Sequence, residues 1–421
     1  METILIIILA VVFLAFVTMK IGDVFSPWTI TSAVWLAILV LYQFQGDLLD
    51  PLSDQFLNCV AIWFPILCIS SLVTYHVLPG TKGQVRSAEI PPMNRTIFTW
   101  LYVITIIITP VYVYQILKIA MMFNSADLLN NIRLLAVYGD QGYGFLQYSY
   151  VLSQVMVVVA FWQYPKIPLW QLISIVIVSL MSAFAIMEKG MMFFLFISVI
   201  FTLYEKRVIR MRSIVISVFS IVVIFFLINL ARDYTEASES SDSMTFLDFF
   251  AIYILSPAAA FGKVQEDLIP QFGSHTFYSI YIFLVRWGGD FVVYDKWQEF
   301  VWVPLPTNVY TVFQPFYQDF GYRGVGMFAL FYGVVSGWCY RLMRNGNGVA
   351  KCFYVYLCYA LVLQFYQENF ILNMVSLLQF LFFIVLIQQR NIAVDFVPRE
   401  IEEEKEGGSN GSDGSDGNYG N

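Results

Sequence analysis

Apolar stretches of about 15–25 residues recur along this chain, near 3–19, 26–44, 55–76, 96–118, 145–163, 168–187, 190–204, 213–230, 324–340, 352–367 and 371–389, and most are long enough for a helix to cross a hydrocarbon core of about 30 Å. Composition points the same way. Of 421 residues, 59% are hydrophobic and only 13% charged, against about 45–50% apolar and about 25% charged in soluble domains. The expected fold is therefore all-α: a polytopic membrane protein of about 11 transmembrane helices. The first run, Thr3 to Met19, lacks a basic leading segment and a small-residue cleavage site, so it reads as a retained helix rather than a signal peptide.

Lysine and arginine set the orientation, because loops rich in them stay on the cytoplasmic side. An outside N-terminus leaves about 15 of the basic residues inside and about 8 elsewhere, while the acid-only loop from Gln45 to Gln55 falls outside. The organisation that follows has N-terminal spans over 1–231 with a short outer loop near 124–144, then a long outer loop over 232–323. C-terminal spans occupy 324–390, and an acidic, Gly/Ser-rich tail at 391–421 reads as disordered cytoplasmic chain. Two apolar pieces of the long loop, Phe246 to Phe261 and Phe277 to Val285, read as interfacial or re-entrant helices, since Pro257, Gly262 and Lys263 interrupt the first.

Several function classes are excluded or weakened. The net charge of -7 owes much to the tail, and no basic stripe exists to bind nucleic acid. All five cysteines lie in apolar runs without CxxC spacing, as buried small hydrophobes do. The chain has no P-loop, GxGxxG or HExxH motif and no GxSxG with triad partners, so nucleotide-driven pumping, dinucleotide redox chemistry and zinc hydrolysis have no support. No internal repeat stands out, which weakens a transporter reading.

What remains is the outward-facing ionisable set. Arginine gives two-pronged hydrogen bonds to phosphate, and a carboxylate or histidine moves protons. Arg133 lies in the amphipathic stretch Leu128–Leu135, ahead of the glycine-bearing Tyr138–Gly144, and reads either as an interfacial anchor or as a site residue. Arg232 follows a span directly, where snorkelling arginines are common. Ser256-Pro257-Ala258-Ala259-Ala260-Phe261-Gly262-Lys263 fits a re-entrant floor or a plain amphipathic helix. His275, in the long loop, reads either as a hydrogen-bonded scaffold residue or as a base; Arg286 lies further along the same loop. The densest signal runs from Pro304 to Gly324, where Asp319 and Arg323 sit four apart at the start of a span. They read either as a helix-capping ion pair or as a functional pair.

The run Pro306-Thr307-Asn308-Val309-Tyr310-Thr311, continuing through Tyr317-Gln318-Asp319-Phe320-Gly321-Tyr322-Arg323-Gly324 into a glycine-bearing span, resembles the bacterial oligosaccharide repeat-unit (O-antigen, Wzy-type) polymerases. Ser256–Phe261, the Phe25-Ser26-Pro27-Trp28 opening and the pairing of Arg133 with Gly144 are further likenesses. The resemblance implies a glycosyltransferase of the bacterial inner membrane, N-terminus periplasmic and C-terminus cytoplasmic, that joins undecaprenyl-diphosphate-linked oligosaccharides on the periplasmic face. It implies Asp319, His275 and Arg323 as catalytic candidates, and Arg133, Arg232, Lys263, Arg286, Asn308 and Tyr310 as substrate contacts. Its partners would be the lipid-linked oligosaccharide, membrane lipid and a chain-length regulator protein, with no cofactor, since the leaving group is already activated. A lipid-linked oligosaccharide flippase or other transporter, an O-antigen ligase and a scaffold without chemistry are the competing expectations.

Overall fold

A computed structural model of the chain describes residues 1–79, 89–122, 148–186, 189–210, 246–266, 271–294, 298–304 and 306–389, with 128, 131, 132, 135, 146, 212, 213 and 216 besides. Arg133, Gly144, Arg232, most of the expected 213–230 span and the 391–421 tail lie outside the described residues.

The protein is mostly helical, and its helices follow the apolar runs closely. They are α1 (Glu2–Thr18), α2 (Pro27–Gln43), α3 (Asp54–Val77), α4 (Arg95–Ala120), α5 (Tyr148–Gln163), α6 (Leu169–Ile186) and α7 (Lys189–Glu205), then α8 (Phe246–Phe261), α9 (Tyr278–Arg286), α10 (Gln314–Arg344), α11 (Gly348–Val362) and α12 (Met374–Gln388). A two-residue hairpin pairs β1 (Val301–Trp302) with β2 (Pro306–Thr307). Among the described residues, four helices (α3, α4, α10, and α11 with its continuation to Phe365) are long and apolar enough to cross a membrane, and shorter apolar helices accompany them.

Local chemistry sets where helices begin. Proline at the first position of α2 needs no intrahelical donor. Ser53 caps α3 by accepting from Phe56 N at 3.1 Å, Asn94 caps α4, and Asn347 caps α11 by accepting from Ala350 N at 2.9 Å, each satisfying a donor the helix leaves open. On α1, α4 and α6 the residues that face outward are large and apolar, among them Ile4, Ile7, Trp100, Ile107, Trp170 and Phe184. A surface of this kind suits hydrocarbon, not water.

The centre of the bundle is α3 packed along α10. Glycines make the approach close: a Cβ on Gly333 would lie 2.7 Å from Leu67 O, and one on Gly337 would lie 2.4 Å from Ser71 O. Small residues that bring two backbones together drive helix association where lipid supplies no hydrophobic contrast. Around this pair stand α2 and α11, backed by α5, α7 and α12. All five cysteines are buried as free thiols.

The two ends of the bundle differ. At one end gather the N-terminus, the α2–α3 connection, the C-terminal end of α8, the β-hairpin and the α11–α12 connection, joined by Gln55 Nε2 donating to Val264 O at 2.8 Å and Tyr310 Oη donating to Glu299 O at 2.7 Å. At the other end, Arg344 bridges Glu205 and Asp23. Helix α8 runs unbroken through Pro257 to Phe261; the expected interruption falls at Gly262, where a Cβ would lie 3.0 Å from Ser53.

At 15 residues, α11 rises only about 22 Å. The chain turns back inside the protein, where residues 363–373 meet the 311–313 segment. Val312 N donates to Gln364 O at 2.8 Å, and the Gln364 side-chain oxygen accepts from the indoles of Trp35 at 3.2 Å and Trp63 at 2.9 Å. Phe313 stacks on Trp35 with centroids 4.8 Å apart. Irregular backbone is tolerated at membrane depth only where protein groups satisfy it, and here they do.

Candidate active site

A small pocket at the loop-bearing end of the bundle, with room for about one water molecule, is lined by His275, Tyr278, Tyr294, Gln298, Gln314, Pro315 and Leu372. Its walls come from residues 275–298, from Gln314 and Pro315 at the start of α10, and from the α11–α12 connection.

The His275 wall is a tight turn. Gly273 has φ +63°, and a Cβ there would lie 2.4 Å from the Phe277 ring, so glycine is required on both counts. Asp319, from the first turns of α10, straps this turn down. Its Oδ1 accepts from Ser274 Oγ at 3.3 Å and His275 N at 3.1 Å, and its Oδ2 accepts from Thr276 N at 2.6 Å. Thr276 Oγ1 then donates to Pro315 O at 3.1 Å. Both oxygens of this carboxylate are therefore taken up by donors of the 274–276 turn.

The opposite wall uses the same device. Glu368, 2% exposed, accepts from Phe370 N and Ile371 N at 2.8 Å each and from Leu372 N at 2.7 Å, and also from the hydroxyl of Tyr332. Burial pushes its carboxyl up from the usual range while these hydrogen bonds pull it back. Leu372 is further fixed by Ser279 Oγ, which donates to its carbonyl. Two carboxylates thus hold the two loops that face each other across the cleft.

Between them stand His275, its ring 5.0 Å from that of Tyr294, and a run of three amides. Gln314 donates to the side chain of Gln318, and Gln318 Nε2 donates to Gln298 Oε1 at 3.2 Å.

The remaining candidates are dispersed. The reading of Asp319 and Arg323 as a helix-capping pair is corrected: Gly321, at φ +59° and ψ −151°, breaks α10 between them. Asp319 turns toward residues 274–276, and Arg323 is exposed, with no ion-pair partner among the described residues. The four-residue spacing lost its meaning because it assumed a continuous helix. Gly321 itself packs on Glu266, whose Oε1 would lie 2.6 Å from an added Cβ. Arg286 is exposed in the last turn of α9. Lys263 is exposed and pairs with Asp50 at 3.2 Å. Asn308 is half-buried next to β2, and Tyr310 is buried, its phenol pushed up to about 12 by burial and by Glu299.

Glu368, Tyr278, Tyr294, Gln298, Gln314 and Leu372 were not singled out as site residues from sequence. Three glutamines within 21 residues, at 298, 314 and 318, were a visible signal. For Glu368 the signal was a lone carboxylate between two apolar runs.

No family model matches the chain, and no solved structure matches it. A protein of Escherichia coli (strain K12) described as "Putative O-antigen polymerase" is 24% identical over 383 residues, which cover 87% of this chain and 92% of that protein. The polymerase likeness drawn from Pro306–Gly324 is therefore borne out, since most of the chain is similar to this protein.

Proposed function

We propose that this protein is a membrane-embedded glycosyltransferase that polymerises lipid-linked oligosaccharide repeat units, with the His275 cleft as its reaction site. The observation that carries the reading is the strap from Asp319 to residues 274–276, which builds one cleft from two separate parts of the long loop in a chain similar to an O-antigen polymerase along most of its length. The Lys/Arg bias of the opposite end supports a periplasmic cleft, because basic loops stay in the cytoplasm. The α11–α12 connection and α9 beside the cleft give a carrier lipid an apolar approach.

In the proposed reaction, a hydroxyl of the incoming unit attacks the anomeric carbon of the growing glycan. The new C–O bond forms as the bond to the diphosphate oxygen breaks. Undecaprenyl diphosphate leaves with the electron pair, and the hydroxyl proton passes to a base. His275 is the group we assign as that base. Asp319 acts through it as a positioning residue, since both its oxygens already hold the turn. Arg323 and Arg286, exposed and without ion-pair partners among the described residues, are our choice for the diphosphate. Arg133 and Arg232 remain proposals for the same charge.

The test is the glycan ladder of a strain lacking the gene, complemented with wild type, His275→Gln or Asp319→Asn. Loss of the gene should leave single repeat units capped on lipid, and wild type should restore the ladder. His275→Gln should abolish the ladder with protein still in the membrane, and Asp319→Asn should shorten it. Accumulation of undecaprenyl-linked polymer would show a ligase instead. Single lipid-linked units trapped on the cytoplasmic face would show a flippase.

A further inference from the structure

The two apolar pieces of the long loop part company in the structure. Helix α8 packs into the bundle, with Leu255, Ala258, Ala260 and Phe261 buried. None of the nine residues of α9 is buried. From Ile280 to Val293 large apolar side chains lie open: Phe283 is 52% exposed, Trp287 79% and Val292 58%.

The segment that carries this surface is firmly fixed. Helix α9 ends at Gly288, φ +90°, with Gly289 N donating to Leu284 O at 3.0 Å, and the chain turns back. Gln271 grips the returning strand twice: its Nε2 donates to Val292 O at 2.8 Å, and its Oε1 accepts from Val292 N at 3.0 Å. The Phe291 ring lies 5.4 Å from that of Tyr281, whose hydroxyl donates to Phe272 O. A hairpin held in shape by its own polar groups, with apolar groups outward, would associate in water, so its face has an apolar partner.

Where the hairpin is moored identifies that partner. On one side Ser279 donates to Leu372 O, and α9 packs on α12, whose outward stripe is Val375, Leu378, Phe382 and Val385. On the other, Phe272 and Phe277 join Phe320 and Phe328 of α10, whose outward stripe includes Met327, Leu330, Phe331 and Val334. Both stripes suit hydrocarbon, and the hairpin continues them at the end of the bundle. Its charges suit the boundary. Arg286 and Asp290, one of each sign, are exposed on either side of the Gly288–Gly289 turn, and tryptophan, here Trp287, is a residue type that gathers at headgroup level. Zwitterionic phospholipid offers the matching pair, a phosphate and an ammonium.

We propose that the 278–293 hairpin is a docking surface for zwitterionic phospholipid, seated in the headgroup layer of the adjoining leaflet, and that this seating sets the height of the His275 turn. That turn runs straight into α9, with Tyr278 N donating to His275 O at 3.4 Å. The lipid contact stands without the polymerase reading; on that reading, it puts Arg286 in the layer where a lipid-linked diphosphate lies.

The experiment attaches a nitroxide at Phe283→Cys, Trp287→Cys or Val292→Cys, one at a time, in the full chain in nanodiscs of dioleoylphosphatidylcholine. The five native thiols are buried, and the unsubstituted chain gives the background. Collision with oxygen, which concentrates in hydrocarbon, is compared with collision with a water-soluble nickel chelate. Val375→Cys on α12 is the lipid standard, and Asp47→Cys, in the exposed α2–α3 connection, is the water standard. At all three hairpin sites the oxygen-to-nickel ratio should exceed that at Asp47 by about fivefold or more. Ratios equal to that at Asp47 would put the hairpin in water. Protection from both reagents would put protein on this face, a second copy or another chain. Either result overturns the proposal. With Phe283→Asn and Trp287→Asn combined, the ratio at 292 should fall toward the water standard, and a label at Phe272→Cys, beside the turn, should fall with it. A label at 272 that stays while 292 moves would overturn the link to His275. None of these readouts uses activity, so a glycan ladder that speaks against a polymerase leaves the lipid test intact.

Discussion

The two ends of this protein solve the problem of buried polar groups in opposite ways. At the Arg344 end, a guanidinium 5% exposed meets Glu205, 2% exposed, through a two-pronged pair of 2.9 and 3.0 Å, and reaches Asp23 with the same nitrogen. Helices α7 and α10 and the α1–α2 connection are tied in one place. At the cleft end Asp319 and Glu368 take no cation among the described residues and are spent on backbone N–H groups. Charge paired with charge locks helices together. Charge paired with backbone shapes loops.

The comparison is broken most forcefully at Arg344. Replacing it by methionine strands Glu205 without its counter-charge in a buried site, at a cost of about 3–5 kcal/mol. The expected outcome is a steep loss of folded protein in the membrane and a large fall in melting temperature in detergent. Arg344→Met combined with Glu205→Met should recover much of that loss, because an apolar pair of similar volume fits where a charge alone does not. If the double variant is no better than the single, the network is not the lock described here.

Glu368→Gln probes the other device with a smaller expected effect. The carboxylate accepts from three backbone N–H groups and Tyr332; an amide offers one accepting oxygen and turns its NH2 against a donor. Leaving one buried donor unmet costs about 1–3 kcal/mol. Melting should drop modestly, while the glycan ladder should suffer more than stability does, since Leu372 of the cleft wall hangs from this carboxylate. Equal losses in both would make Glu368 a purely structural residue.

The helices were legible in the sequence because hydrophobic length is a local property. The 55–76 run became Asp54–Val77 and the 26–44 run became Pro27–Gln43, with Ser53 and Ser26-Pro27 marking the starts. The site was legible only in its ingredients. Asp319 and His275 stood out as residue types, but that one straps the backbone of the other depends on Gly321 ending the first helical segment of α10. The run from 352 to 367 is legible as the helix that continues to Phe365, but not the turn that follows it, where Gln364 meets Trp35 and Trp63 and Glu368 meets Tyr332. Periodicity carries no record of such a turn, which is made by partners about 300 residues away in sequence.

Lys263 sharpens the comparison at its weakest point, since it is the one cation that the described cleft end pairs with an acid. Its bond to Asp50 is 3.2 Å long, with both side chains about half exposed, and exposed pairs of this kind contribute about 0–1 kcal/mol. Lys263→Met and Asp50→Asn should therefore leave melting within a degree or two. If neither changes the glycan ladder, Lys263 does no more than tie the end of α8 to the α2–α3 connection. If Lys263→Met shortens the ladder while Asp50→Asn does not, the lysine touches substrate. Freed from Asp50, it would then join Arg286 and Arg323 as a cation for the diphosphate.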